Sequence, residues 1–265
     1  MAAKPILLDP RPEQVARARP IENAVNIPAA ELAQRTYELP EPSERVHVAQ
    51  VGAETQLAVH ALRRSGRQST VVRNWKHAMR PQQTLQLWLP SEFLANVTRG
   101  TEPGHRALDL GCGVGRDTVY LANQGWNVIG VDVLPDALER AGLMESRYRR
   151  YDAPIRWVKS DIRKWKDEIP EDITGPTRDF DLIFAVRFVS REAFGIAKSH
   201  LKNNGRMVVE AFTPTHRARH GKPKSDEDVI TAEQLGAIAK SLEISVCRET
   251  WCRDAHLAQL CAVKR

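Results

Sequence analysis

Hydrophobic positions fall in two textures along the chain. Up to about residue 75 they come as short runs between polar stretches of helical character. Pro5–Asp9, Ala24–Ile27, Val46–Ala49 and Thr70–Val72 read as strands. Glu13–Arg19, Ala29–Tyr37 and Gln56–Arg64 read as helices between them. Such alternation predicts a small α/β layer. Leu85–Val97 then carries an apolar stripe of Trp88, Leu89, Phe93, Leu94 and Val97, with Pro90-Ser91 as a helix start.

From residue 107 onward the runs are nearly continuous, as in parallel strands buried on both faces. A strand ends in Asp109, a second spans Asn127–Asp132, a third Ile155–Asp161, a fourth Phe180–Phe188 and a fifth Met207–Phe212. Helices fit Arg116–Asn123, stopped by Gly125, Leu134–Met144 with Pro135 in its first turn, and Ser190–Leu201. Asn203–Gly205 reads as a turn, and Thr213–Asp228 as a long basic loop. Thr231 and Gln234 form a capping box ahead of a last helix. Leu242–Thr250 and Ala255–Val263 close the chain as two strands. The division expected is 1–75, a linker and helix over 76–100, and a larger domain over 101–265.

Strand, glycine loop, helix, strand and acid make half of a doubly wound nucleotide-binding fold. Asp132 lies 23 residues beyond Asp109, where an acid can accept from both ribose hydroxyls. The glycines do not follow the dinucleotide spacing G-x-G-x-x-G. They read Asp109-x-Gly111-x-Gly113-x-Gly115. This form resembles motif I of class I S-adenosylmethionine (SAM) dependent methyltransferases. The resemblance covers residues from about 85 to 265 and is closest to the tellurite-resistance and thiopurine-type small methyltransferases. It implies a Rossmann-like domain with a mostly parallel sheet. It also implies SAM contacts at Asp109, Gly111, Cys112, Gly113, Gly115, Asp132, Val133, Asp161, Ile162, Ala185 and Val186. Asp161 is read either as an acceptor from the adenine amine or as a helix cap. Trp88 is either core or a cofactor neighbour. Arg187, at the carboxyl edge of the fourth strand, pairs with an anionic substrate, the cofactor carboxylate or a structural acid.

The first 75 residues resemble a rhodanese domain. Leu7-Leu-Asp-Pro-Arg11 stands for the family's Leu-Asp-Val-Arg, and Ile21–Pro28 for its Ile-Pro-Gly-Ala-x-Asn-Ile-Pro. In that family a persulfide-forming cysteine opens the loop after the next strand. Here the position holds Gln50, and residues 1–111 contain no cysteine. Sulfur transfer needs a thiolate, so the resemblance implies a silent sulfurtransferase fold, suited to a structural role, a homodimer surface or partner recognition.

Composition narrows this only modestly. Forty-two per cent of the 265 residues are hydrophobic, enough for packed cores, yet no run approaches the ~20 apolar residues of a membrane span. The four cysteines show neither zinc-finger spacing nor a disulfide framework, and no metal site is expected. No signal peptide is apparent, so a reducing cytoplasm is the expected setting. A net charge of +6 permits a nucleic-acid partner without demanding one. The expected activity is methyl transfer from SAM to a small molecule. The alternatives are an RNA or protein acceptor docked by the first domain, and a SAM-binding scaffold without turnover. A nicotinamide enzyme is opposed by the glycine spacing. His216 and His220 are the candidate bases for an oxygen acceptor, and no catalytic residue is assigned.

Overall fold

The computed structural model describes residues 5–80, 85–166, 168–175 and 179–265. The chain divides into two compact units, Met1–Leu89 and Pro90–Arg265, each with its own apolar core.

The first unit runs β1 (Leu7–Asp9), α1 (Glu13–Ala18), β2 (Ala24–Asn26), β3 (Val46–Ala49), α2 (Ala53–Arg64) and β4 (Ser69–Val72). All four strands are parallel, in the order β2-β1-β3-β4. Leu8, Val48, Ile27, Leu39 and Leu62 are buried together. The expected helix over Ala29–Tyr37 does not form. Two 3-10 turns stand there, Ala29–Glu31 and Thr36–Glu38. Within this stretch Arg35 clamps the fully buried Glu38 through two 2.7 Å hydrogen bonds and reaches Glu31 at 2.8 Å. Arg11 forms an equally close fork with buried Asp9, at 2.9 and 2.7 Å.

The second unit opens with α3 (Glu92–Thr98), followed by β5 (Arg106–Leu110), α4 (Arg116–Ala122), β6 (Asn127–Asp132), α5 (Pro135–Tyr148) and β7 (Ile155–Lys159). It continues through α6 (Glu171–Thr174), β8 (Phe180–Val186), α7 (Arg191–Ala197), β9 (Leu201–Phe212), α8 (Pro214–His220), α9 (Ala232–Ile238), β10 (Glu243–Cys252) and β11 (Ala255–Val263). The sheet order is β10-β11-β9-β8-β5-β6-β7. Strands β5 to β9 are parallel, while β11 runs antiparallel to β9 and β10 antiparallel to β11. Neighbouring residues on a strand enter opposite cores. Leu108, Ile129 and Ile183 belong to one, and Ala107, Val128 and Leu182 to the other. Both faces of the sheet are therefore covered at its inner strands β5, β6 and β8, which is why these read as apolar runs.

Three expectations change here. Asn203–Gly205 is no separate turn but a bulge within β9. Phe180 pairs with Leu201 while Leu182 pairs with Arg206, and Asn204 takes a φ of 64° in between. The stretch expected as a loop over Thr213–Asp228 contains α8, capped by Thr213 and started by Pro214. The helix expected to reach Leu201 stops at Ala197, and a 3-10 turn, Lys198–His200, leads into β9. The outer strand β10 is mostly exposed and carries a register shift between Ile244 and Val246. Among the described residues no helix is long and apolar enough to cross a membrane.

Candidate active site

β5 leads to β6 and β7 on one side, and the chain then crosses to β8 on the other. The sheet order thus reverses between β5 and β8, and ligands of open α/β sheets sit at the carboxyl ends beside such a reversal. The glycine loop lies there. Gly111 and Cys112 donate their amides to Val131 O at 2.9 and 3.0 Å, fastening the loop to β6. Gly111, Gly113 and Gly115 all have positive φ, at 76°, 54° and 79°. Trp157 and Ala141 crowd Gly115, whereas no atom lies within 4 Å of the place where a side chain would begin on Gly113. The loop is thus packed beneath Gly115 and open at Gly113.

Asp132 joins this loop to the end of β6. Its Oδ2 accepts from Gly113 N at 2.8 Å and its Oδ1 from Leu134 N at 3.0 Å. A carboxylate has about four lone-pair positions, so acceptor capacity remains at the rim. Beside it Val133 and Leu134 are 48% and 60% exposed, an apolar shelf facing solvent.

Not every residue expected at the site reaches the surface. Asp109 is 2% exposed and accepts from Thr118 Oγ1 at 2.6 Å, which ties β5 to α4. Burial drives its carboxyl well above the ordinary range, against the pull of the Thr118 hydroxyl. Ile162 and Ala185 are core residues. Val186 is half-buried at the end of β8. Asp161 is the cap of a 3-10 turn, accepting from Arg163 N at 3.2 Å and pairing with Lys164 at 3.1 Å. Cys112 is held protonated, its thiol raised first by burial and then by the charges of Asp109 and Asp132. Trp88 is fully buried.

A second group of polar residues gathers at the ends of β8 and β9. Asp117 Oδ1 accepts from Ser91 N at 2.7 Å, and Ser91 Oγ donates to Glu210 Oε1 at 3.0 Å. Gln259 Nε2 donates to Glu210 Oε2 at 2.8 Å, so Glu210, 4% exposed, has both oxygens engaged. Burial and the Glu210 charge raise the Asp117 carboxyl from 3.8 to about 6, opposed by the Ser91 amide, Arg187 and Arg116. On α8, His216 stacks on Phe212 at 4.2 Å and on His220 at 4.5 Å. Its Nδ1 accepts from His256 N at 3.3 Å. Burial, then the charges of His220 and Arg187, lower its pKa. Among the described residues no group of three or more His, Cys, Asp or Glu is placed to hold a metal ion.

Residues 107–205, the stretch that builds this rim from β5 into β9, match the family model of a methyltransferase domain. Over that stretch the second unit is similar to class I SAM-dependent methyltransferase domains. A malonyl-[acyl-carrier protein] O-methyltransferase of Paenibacillus sp. (strain JDR-2) is 29% identical over 139 residues. That alignment takes in 50% of this chain and 48% of the relative, so the chain spans about half of that protein. An uncharacterized protein of Schizosaccharomyces pombe is 24% identical over 287 residues, covering 87% of this chain and 84% of its own. Magnesium protoporphyrin IX methyltransferase from Synechocystis PCC 6803, solved with bound S-adenosylhomocysteine (SAH), shares the fold. Its TM-score is 0.50 at 18% identity over 65% of this chain and 80% of that one.

The methyltransferase rim fits the cofactor of its class. Gly113 leaves its backbone uncovered, Asp132 retains acceptor capacity, and Val133 with Leu134 offer apolar surface beside it. Sequence reasoning missed the Asp117–Ser91–Glu210–Gln259 chain. Its only local signal is the Arg116-Asp117 pair that follows the glycines.

Proposed function

We propose that the protein transfers the methyl group of SAM to a small-molecule acceptor. One observation carries the reading: a glycine loop open at Gly113 and the Asp132 carboxylate that fastens it share one sheet edge with an exposed apolar shelf. Gly111, Cys112, Gly113 and Gly115 hold the amino-acid end of the cofactor. Asp132 accepts from the ribose, and Val133 and Asp161 border the adenine. The buried Asp109, Ile162 and Ala185 set this rim from below, and Val186 closes it on the β8 side. When bound, SAM supplies a methyl carbon already activated by its sulfonium. The chain's own contribution is then to position the acceptor and exclude water. The small-molecule reading draws on the family resemblance and on the Paenibacillus relative, named for O-methylation of a malonyl group.

Calorimetric titration with SAM, SAH and NADH tests this, with Asp132→Ala as the control. Micromolar binding of both adenosyl ligands, lost in the variant, is expected. Binding of NADH alone, or of none of the three, overturns the reading.

For the first unit the proposal is a rhodanese-like fold without sulfurtransferase chemistry, serving as a docking or dimer surface. Four parallel strands and the Asp9–Arg11 fork support it, as does Gln50 at the end of β3. The S. pombe relative, which aligns across both units, favours a shared role for them. Should the acceptor be RNA, affinity would fall steeply with salt. The proposed setting is the reducing cytoplasm, in keeping with four free cysteines.

A further inference from the structure

β9 does not hand the chain directly to α9. Thr213 and Ile230 are fully buried, and Ile230 N donates to Phe212 O at 2.9 Å. The excursion between them therefore leaves and returns at one point on the carboxyl edge of the sheet. No residue of 214–228 is buried. The excursion is a flap, and polar contacts hold it. On α8, His216 Nδ1 accepts from His256 N at 3.3 Å, and the Arg219 guanidinium lies 4.8 Å from the centre of the Trp251 ring. Gly221, at φ 65°, ends α8 and turns the chain back. Arg217 pairs with Asp226, which ties the outgoing limb to the returning one. A segment without buried apolar surface, held by exposed ion pairs, belongs to the low end of local stability.

The returning limb is fastened to a different element. Asp228 Oδ1 accepts from Arg163 at 2.5 Å, with both side chains more than a third exposed. Arg163 stands in the 3-10 turn after β7, two residues past Asp161. In the sheet, β8, β5 and β6 lie between β9 and β7. The flap thus links the end of β9 to the turn after β7 along the edge where the cofactor is placed. Arg163 also leads inward. Its guanidinium is 5.7 Å from the centre of the Phe188 ring. Phe188 lies against Gly111, where a Cβ would come to 2.4 Å from the ring. Asp228, Arg163, Phe188 and Gly111 form one line of contact from the flap to the glycine loop.

The chemistry requires a cover that moves. A sulfonium methyl donor works best with water excluded, yet cofactor and acceptor must enter and leave. Resting on the cofactor reading above, we propose that residues 214–228 close over the methyl-transfer site, that Arg163 and Asp228 clasp them shut, and that bound cofactor steadies the clasp through Gly111 and Phe188. Arg163 and Asp228 are positioning residues and do not touch the methyl group. Coupling of this kind is reciprocal, so the clasp also retains the cofactor.

The experiment begins by titrating the full-length protein with SAH. Amide hydrogen exchange over 214–228 is then compared with and without saturating SAH, and SAH release is timed by stopped-flow displacement. SAH is expected to slow exchange across the flap. In Asp228→Asn that slowing should be lost, and SAH should leave about two- to fivefold faster, the range of one exposed ion pair. Added salt should hasten release from the wild type and leave the rate of the variant unchanged. Arg163→Lys, which keeps the charge, should release SAH more slowly than Arg163→Gln. SAH binding with no change in flap exchange overturns the proposal, as does an Asp228→Asn variant that releases SAH at the wild-type rate. A lowered melting temperature without faster release makes the pair merely structural and overturns it too. Failure of the wild type to bind SAH is seen in the first titration and overturns the cofactor reading together with this one.

Discussion

An alanine at Gly115 would bring its Cβ to 2.4 Å from the Trp157 ring, in a backbone already at φ 79°. The ring cannot retreat easily, because its Nε1 donates to Glu145 at 2.8 Å. Gly115→Ala should therefore cost about 1–3 kcal/mol through overpacking, plus the left-handed strain. Gly113→Ala meets nothing within 4 Å, so it should cost only about 1–2 kcal/mol for its φ of 54°. It should nonetheless abolish SAM binding, since the new methyl occupies the open cradle. Chemical denaturation and calorimetry on the two variants separate these effects. Asp117 gives a pH signature. Its folded carboxyl titrates near 6 against an ordinary 3.8, so the native state binds this proton more readily than the unfolded chain. The stabilising contribution is full below about 3.8 and is lost as pH rises through about 6. Thermal melts of Asp117→Asn should lack that decline, so the variant gains on the wild type as pH rises from about 3.8 to about 6.

α3 depends on one hydroxyl. Ser91 Oγ caps the helix by accepting from Leu94 N at 3.2 Å and also donates to buried Glu210. Ser91→Ala should lose about 1 kcal/mol for the cap and about 1–3 kcal/mol more for the carboxylate left short of a donor. Urea titration should show this, with Ser91→Thr retaining most of the stability. The same element shows what a sequence can and cannot reveal. Strands β5, β6, β8 and the second half of β9 were legible because burial on both faces leaves apolar runs, and the glycine loop because its spacing is local. The Ser91–Glu210 contact joins residues 119 positions apart, and no local pattern announces it. α8 was hidden for a different reason. Pro214–His220 buries no residue, so it has no apolar period, and only Thr213-Pro214 and Gly221 mark its ends. Ala29–Tyr37 misled in the opposite way, its composition helical while only two 3-10 turns form there.

Each unit of the molecule closes its own core. Among the described residues, the apolar clusters of the first contain no residue beyond Leu87, and those of the second none before Phe93. A fragment spanning 90–265 should therefore melt cooperatively and bind SAM as tightly as the whole chain. Circular dichroism and calorimetry on the fragment test this, and a fragment without a cooperative melt would make the first unit part of the folding unit. The sheet of the second unit has a further consequence. Its outermost member, β10, extends ten residues with one side unpaired, the geometry on which foreign strands assemble. Charges at Glu243, Arg248 and Glu249 and the irregularity near Ile244 act as gatekeepers along that flank. Colloidal behaviour at high concentration is thus governed by a hairpin on the flank of the sheet opposite β7, and surface engineering for crystals or yield should leave those charges in place.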